Sequence, residues 1–454
     1  MITIPELSRQ MEDLLGSVAD RLGKESGFIK RKRVFSGSSF ARTLIFSWWH
    51  DPASTCAGRA QTAHMIGCAV TVPAIEKRFS PQAADFLQKL LLATVNTCVQ
   101  ANPVNIPVLH RFTSVEVCDG SIVILPDELA DIYQGCGTKS GSKKASIKLL
   151  FRLDLSCGRL YGPLPFSGKV HDLKGAAQLP PPHKGSLQIG DLGFFCLRQF
   201  REWSDRGVYW LSRYKCGTYL YDEQGQRIEL LNWLTTQCGR GQRLDARVLL
   251  GARQRLACRL IAEWVPGKVL KQRRAALREE ARKESMPINP IEWELARWTI
   301  LLTNCKEAQL SVEEGFGLAQ ARWQIELLIK RNKSLGQIDK WRSKHQWRII
   351  CELYAKLIVQ VLQHWLLVAG SWANPARSLW KGQQMLQRWG WTLARASRTW
   401  GWGGKGWLTQ LSEAIRMTNI SPCQIDKRRK DPPLWQVLLA AAAPTSQLLH
   451  SHVA

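Results

Sequence analysis

The stretch "ARWQIELLIKRNKS", Ala321 to Ser334, is apolar enough for a core helix yet carries Arg322, Glu326, Lys330 and Lys333. Each helical residue turns the chain by about 100°, so with Arg322 at zero Lys333 falls near 20°, Glu326 near 40° and Lys330 near 80°. The four charges form one stripe. Trp323, Ile325, Leu327, Leu328 and Ile329 fill most of the remaining circumference, which predicts a helix packed on several sides with one polar edge. Such an edge faces water, as a ladder of i,i+4 pairs each contributing roughly 0.3 kcal/mol, or it faces a polar site.

Two aspartates decide between these. Asp119 lies in the Val- and Ile-rich run "VEVCDGSIVIL", and Asp191 follows the apolar run "LQIG". Taken singly, each has a plain alternative: Asp-Gly between strands favours a turn, and an aspartate past a strand end caps a loop. Two aspartates at strand positions and a glutamate on a helix packed on the same sheet can instead hold two divalent ions roughly 4 Å apart, the clamp used in phosphodiester chemistry. Magnesium favours such all-oxygen ligation, with manganese as a substitute. Asp119, Asp191 and Glu326 are therefore the catalytic and metal-ligating candidates. Arg322, Lys330, Lys333 and Arg213 are the DNA-contacting ones.

The composition agrees with an anionic partner. The 454 residues carry 63 Lys and Arg against 37 Asp and Glu, a formal net charge of +26. That excess points to nucleic acid before a membrane. The most apolar helical run, Leu357 to Trp372, is too short to span a bilayer and includes Gln360, Gln363 and His364, so it reads as a core helix. The start of the chain, "MITIPELSRQMEDLLGSVADRLG", mixes acids into an amphipathic rhythm and does not read as a signal peptide, which places the protein in the cytoplasm. The 13 cysteines lack the close pairs that zinc sites need and read as buried thiols. Many of the 20 tryptophans stand near Arg or Lys, a texture suited to phosphates and bases, although core filling accounts for most of the rings.

Residues 1 to about 105 read as helices, with the basic cluster Lys30 to Arg33 between two of them. A pattern broken at Gly67 and restarted with Thr71 as cap and Pro73 in the first turn outlines a helix-turn-helix, set against an ordinary helix pair. From Phe112 the texture turns to strands, which resume between about 215 and 305 around the charged helix "KVLKQRRAALREEARKE", read as a solvated face. After Val312 the chain reads as helical, with Gly401 to Trp407 as a loop that lacks the ending of a phosphate-binding motif.

The quoted helix resembles the Tyr-x-x-Arg-x-x-x-Glu-x-x-x-x-x-x-Lys pattern of DDE transposases in the insertion-sequence-four family, with Arg322, Glu326 and Lys333 at its spacing. The resemblance extends through "CDGSIVILP", "GDLGFF", "LLTN" and "ELYAKLIVQVLQHWLL", covering about residues 110 to 370. It departs at the tyrosine position, occupied by Ala319. The resemblance implies an α/β fold in which a ribonuclease-H-like mixed sheet is flanked by helices. Residues 106–372 would form that core with a β-rich insertion at about 205–305, between a helical DNA-binding region at 1–105 and a helical region at 373–454. It further implies Mg2+-dependent cleavage at the ends of an insertion sequence, hairpin formation, and strand transfer into target DNA by a homodimer on paired terminal inverted repeats. Trp298 is the candidate ring for a base moved out of the stack, with a packing role as the alternative. Ala319 keeps open a catalytically weakened DNA-binding protein. A metal-dependent nuclease without strand transfer is the remaining reading.

Overall fold

The computed structural model describes residues 2–31, 34–135, 144–400, 405–426 and 434–441. Lys32 and Arg33 of the basic cluster, and Gly401 to Gly404 of the glycine-rich loop, lie outside them. The chain divides into two compact units, each assembled from separate segments.

One unit takes Met1–Asn105, Asp119–Leu179 and Gln324–Asp431. Its centre is the helix Gln346–Ser371, almost wholly buried from Ile349 to Val368. The helices Gly37–His50 and Pro81–Asn96 pack on it. Both begin where the sequence offers caps: Ser36 accepts the Ser39 N–H, and Ser80 accepts the Ala83 N–H ahead of Pro81. The central helix has 26 residues, longer than its apolar run suggested, and by length and composition it could cross a membrane. It is instead 89% buried within the protein over its most apolar window, and Glu352 and Lys356 lengthen it on the N-terminal side because protein groups satisfy them, as Gln383 satisfies Gln360 within the run. The same unit holds the hairpin of β2 (Ala145–Asp154) and β3 (Leu160–Ser167), with the later residues of β1 (Val115–Leu125) beside β2. The helix-turn-helix outline is present in part. Cys56–Met65 is followed by Gly67 at φ 89° and a second helix, Val72–Glu76. Five residues make about a turn and a half, too short to lie along a major groove.

The other unit takes Ile106–Cys118, Pro180–Trp323 and Pro432–Ala454. Its sheet starts with the first residues of β1, parallel to β4 (Leu187–Ile189), which is parallel to β5 (Tyr209–Arg213). Beyond β5 the direction alternates: β10 (Trp298–Thr303) is antiparallel to β5 and to β9 (Leu256–Trp264). β8 (Arg243–Leu250) and the short pair β6 (Leu220–Tyr221) and β7 (Arg227–Ile228) complete it. The fold is thus mixed α/β, with a large mixed sheet flanked by helices. One run read as strand is helix: Leu230–Gln237 starts directly after β7, where leucines suit either element. Leu230, Leu234, Trp210, Leu260 and Leu302 join one apolar core under this sheet.

Candidate functional site

Asp119 and Gly120 do not make a turn. β1 runs unbroken from Val115 to Leu125, and the Asp119 Oδ1 accepts the Gly120 N–H at 2.8 Å, leaving the carboxylate half-buried on the strand. Gly120 matters because it has no side chain: a Cβ there would stand 3.1 Å from the Asp172 Oδ1. Asp172 in turn pairs with Lys148 of β2 at 2.9 Å. This second aspartate next to the Asp119 strand had no sequence signal beyond lying at the start of a short helix, Asp172–Ala176.

The quoted stretch folds as two helices. Val312–Ala321 starts in a capping box of Ser311 and Glu314 and ends at Ala321, with Arg322 as its C-cap. The acid-bearing helix then runs Trp323–Ser334 with Ile325 and Leu328 buried and Glu326 half-buried in its first turn, where the helix dipole favours an acid. Arg322 therefore belongs to the junction and not to the stripe. Trp323, expected on the packed side, is 53% exposed. In the last turn, Lys333 Nζ donates to the Ile122 carbonyl at 3.0 Å, tying this helix to β1 three residues beyond Asp119. Lys330 is exposed. The structure thus brings the Asp119 strand and the Glu326 helix together within one unit.

Asp191, Arg213 and Arg322 belong to the other unit. Asp191 sits two residues past β4 and caps the turn Leu192–Phe194, its Oδ1 accepting the Gly193 N–H at 2.9 Å. Arg213 is the last residue of the parallel neighbour β5. Both therefore stand at the carboxyl ends of parallel strands, where α/β sheets place their ligands. The Arg213 guanidinium is held below its usual pKa, first by desolvation and then by the Arg322 charge, while Asp191 and Glu292 act in the opposite direction. Arg213 keeps an exposed surface, so water screens part of this crowding. Arg273 is lowered in the same way, by desolvation and then by Arg213. Arg322, Arg213 and Arg273 form a run of like charges, an arrangement that a polyanion relieves.

Trp298 is placed as the packing alternative describes. It is 4% exposed, its Nε1 donates to the Cys238 carbonyl at 2.8 Å, and its ring meets Trp264 edge-on. Ala319 is half-buried near the end of its helix. The acids suit a hard divalent cation in donor chemistry, all being carboxylate oxygens. Among the described residues no three His, Cys, Asp or Glu side chains gather closely enough to hold a metal ion. The twelve described cysteines are all free, and seven of them are buried.

Comparison with known proteins gives a family and several relatives. Residues 111–362 match the family model described as the transposase DDE domain, a range that contains Asp119, Asp191 and Glu326. The chain is 28% identical over 365 residues to the transposase for insertion sequence element IS231B of Bacillus thuringiensis subsp. berliner, covering 76% of each chain. It is 22% identical over 369 residues to the transposase for insertion sequence element IS1151 of Clostridium perfringens, again with 76% of each covered. A putative transposase InsL for IS186A of Escherichia coli is similar over a shorter part, 27% identical across 164 residues, 35% of this chain and 41% of that one. With more than half of its length matched, the chain belongs to the transposase DDE domain family.

Proposed function

We propose that this chain is the transposase of an insertion sequence, a metal-dependent enzyme that cleaves DNA at the element's ends and joins the freed ends to target DNA. The observation that carries this reading is the family match across 111–362 with all three acids inside it. The pattern around Arg322, Glu326 and Lys333 supports placement in the insertion-sequence-four group, and the parallel strands β1, β4 and β5 support a ribonuclease-H-like core.

In this reading Asp119, Asp191 and Glu326 would hold the divalent cation, Mg2+ or Mn2+. When bound, the metal supplies charge neutralisation at the scissile phosphate and favours deprotonation of the attacking hydroxyl. The chain's own part is positioning. The Gly120 N–H fixes one oxygen of Asp119, the Gly193 N–H fixes one of Asp191, and Lys333 holds the Glu326 helix to β1 through the Ile122 carbonyl. Arg213 and Arg322 attract the phosphates, and Lys330 extends that field. For a hairpin route, the exposed Trp323 beside Arg322 is the ring that stacks on a displaced base, in place of the buried Trp298. Two copies of the chain acting on paired ends complete the reading.

Incubation of the full chain with DNA carrying the element's terminal repeats and Mg2+ tests it. Nicking is expected for the wild type and a loss of about 1,000-fold or more in Asp119→Ala, Asp191→Ala and Glu326→Ala, since each removes a carboxylate that would hold the metal. Joined products with a target plasmid separate a transposase from a simple nuclease. Wild-type chain that binds the ends but leaves them uncut supports the second reading, a DNA-binding descendant, which Ala319 at the tyrosine position favours. Cleavage that survives in the three alanine variants overturns the site assignment.

A further inference from the structure

The helix Gly267–Glu284 has 18 residues and none of them is buried. Its inner side carries half-buried Val269, Leu270, Arg273, Arg274, Leu277 and Ala281. Polar bonds anchor that side: Arg273 donates to the Trp298 carbonyl and to Thr299 Oγ1, each at 2.7 Å, and Arg274 pairs with Glu294 at 3.3 Å. With so little apolar contact, the helix is held against its unit by arginines, and its outer face is left to do something else or nothing.

That outer face is not a random mixture. With Lys271 at zero, Arg278 falls at about −20°, Arg282 at about 20° and Lys268 at about 60°, the turn per residue being about 100°. On the same scale Glu279 falls at about 80°, Glu280 at about 180° and Glu284 at about 220°. The four cations span about 21 Å along the axis at about 1.5 Å per residue. A solvated helix neutralises its charges in i,i+4 ladders. Here Lys283 and Glu279 form such a pair at 2.8 Å, at the border of the stripe, while Lys268, Lys271, Arg278 and Arg282 have no ion-pair partner among the described residues. Arg278 is also oriented, its guanidinium lying 4.8 Å from the centre of the Trp293 ring.

We propose that Lys268, Lys271, Arg278 and Arg282 form a surface that grips the phosphate backbone of duplex DNA. This assignment rests on the transposase reading and adds to it an element of contact outside the three acids. The charge complementarity selects the occupant: a row of unneutralised cations on a rigid helix, in a chain of net charge +26, matches a regularly charged polyanion. Such contacts fix register along the duplex without reading its bases.

The test measures binding of full-length protein to a labelled DNA duplex several helical turns long, by fluorescence anisotropy in EDTA over a range of salt. Glutamine keeps a helix propensity close to that of Lys and Arg. The triple variant Lys271→Gln, Arg278→Gln, Arg282→Gln is expected to bind roughly 100-fold more weakly at low salt, with a log K against log salt slope shallower by about 2.7. Lys283→Gln, at the border and already paired with Glu279, is expected to match the wild type. If the triple variant does not fold by circular dichroism, Lys271→Gln alone is expected to lose about 0.9 in slope, and Lys271→Arg to keep it. A folded triple variant with wild-type slope and affinity overturns the assignment, as does tighter binding of an RNA duplex of equal length. A wild type that nicks terminal-repeat DNA while the triple variant binds unchanged sinks only the helix assignment. A wild type with neither salt-sensitive binding nor nicking sinks the transposase reading itself.

Discussion

Trp323 and Trp298 show how little a residue's type says about its exposure. Both are tryptophans next to arginine, Arg322 and Arg297, and both belong to segments with strong apolar patterns. Trp298 begins a strand of a covered sheet and its indole N–H is used up on Cys238, while Trp323 begins a helix just after a junction and stays 53% exposed. On an ideal helix Trp323 sits about 100° from Arg322, at the border of the charged edge, so a small change at the junction decides which way it faces. The expectation is that Trp323→Ala slows hairpin formation at least 10-fold with little loss of stability, as base–aromatic stacking is worth about 1–3 kcal/mol. Trp298→Ala should instead lower stability by about 3–5 kcal/mol, the range for a fully packed large ring. Single-turnover cleavage assays and urea denaturation of both variants check this, and a Trp323 variant that hairpins at the wild-type rate would remove the ring from the mechanism. The acids behaved differently from the rings. Asp119 and Glu326 stand out in the sequence because carboxylates inside apolar runs need a reason, whereas Asp172 lies in a polar segment and does not.

At the scale of elements, the central helix runs on past its apolar stretch. Glu352 and Lys356 look like the end of an apolar run, but Lys356 and Glu352 pair at 2.7 Å with side chains only 2% and 3% exposed. Lys356 Nζ also donates to the carbonyls of Gln337 and Lys340. Periodicity cannot foresee such compensation, because the acceptors come from another segment. Lys356→Ala leaves a buried glutamate uncompensated and is expected to cost about 3–5 kcal/mol, while Glu352→Gln with Lys356→Met recovers most of it. Urea midpoints decide, and a single variant costing under about 1 kcal/mol would contradict the pair's role. The same helix holds a pH-sensitive group. Burial, then the Arg331 charge, pushes the His364 imidazole down to about 3, against the Nε2 contact with the Gly158 carbonyl at 2.8 Å. The folded chain therefore keeps His364 neutral where the unfolded chain, with a pKa of about 6.5, takes up a proton. Its contribution is fully present above about pH 6.5 and is lost as pH falls towards 3, at up to ~1.4 kcal/mol per pH unit. His364→Gln should flatten that part of the stability curve, and an unchanged slope between pH 6 and about 4 would show that other groups carry it.

At the scale of the whole molecule, the sequence exposes which faces are apolar but not which partner covers them. Residues 1–105 and 324–431 join one unit because helices from both pack on Gln346–Ser371, so neighbours in space are hundreds of residues apart in the chain. A boundary within β1, at Cys118 and Asp119, leaves no trace in composition. Net charge, in contrast, is legible at once and has consequences that separate folding from binding. A chain at +26 repels itself in the compact state, and phosphate binding depends on releasing counterions. Added salt screens the first and opposes the second. Raising NaCl from about 0.05 to 0.5 M shortens the Debye length from roughly 14 Å to 4 Å, which removes most repulsion between separated surface cations. The thermal midpoint of the free protein is therefore expected to rise with salt, over the same range in which duplex affinity falls by orders of magnitude. DNA at low salt should raise the midpoint as salt does, because it neutralises the same excess and binds the folded chain more tightly than the unfolded one. Scanning calorimetry with and without duplex across that range tests the pair of trends, and a midpoint that falls with salt would mean that attractive pairs, such as Arg259 with Asp245 and Arg111 with Glu314, outweigh the self-repulsion.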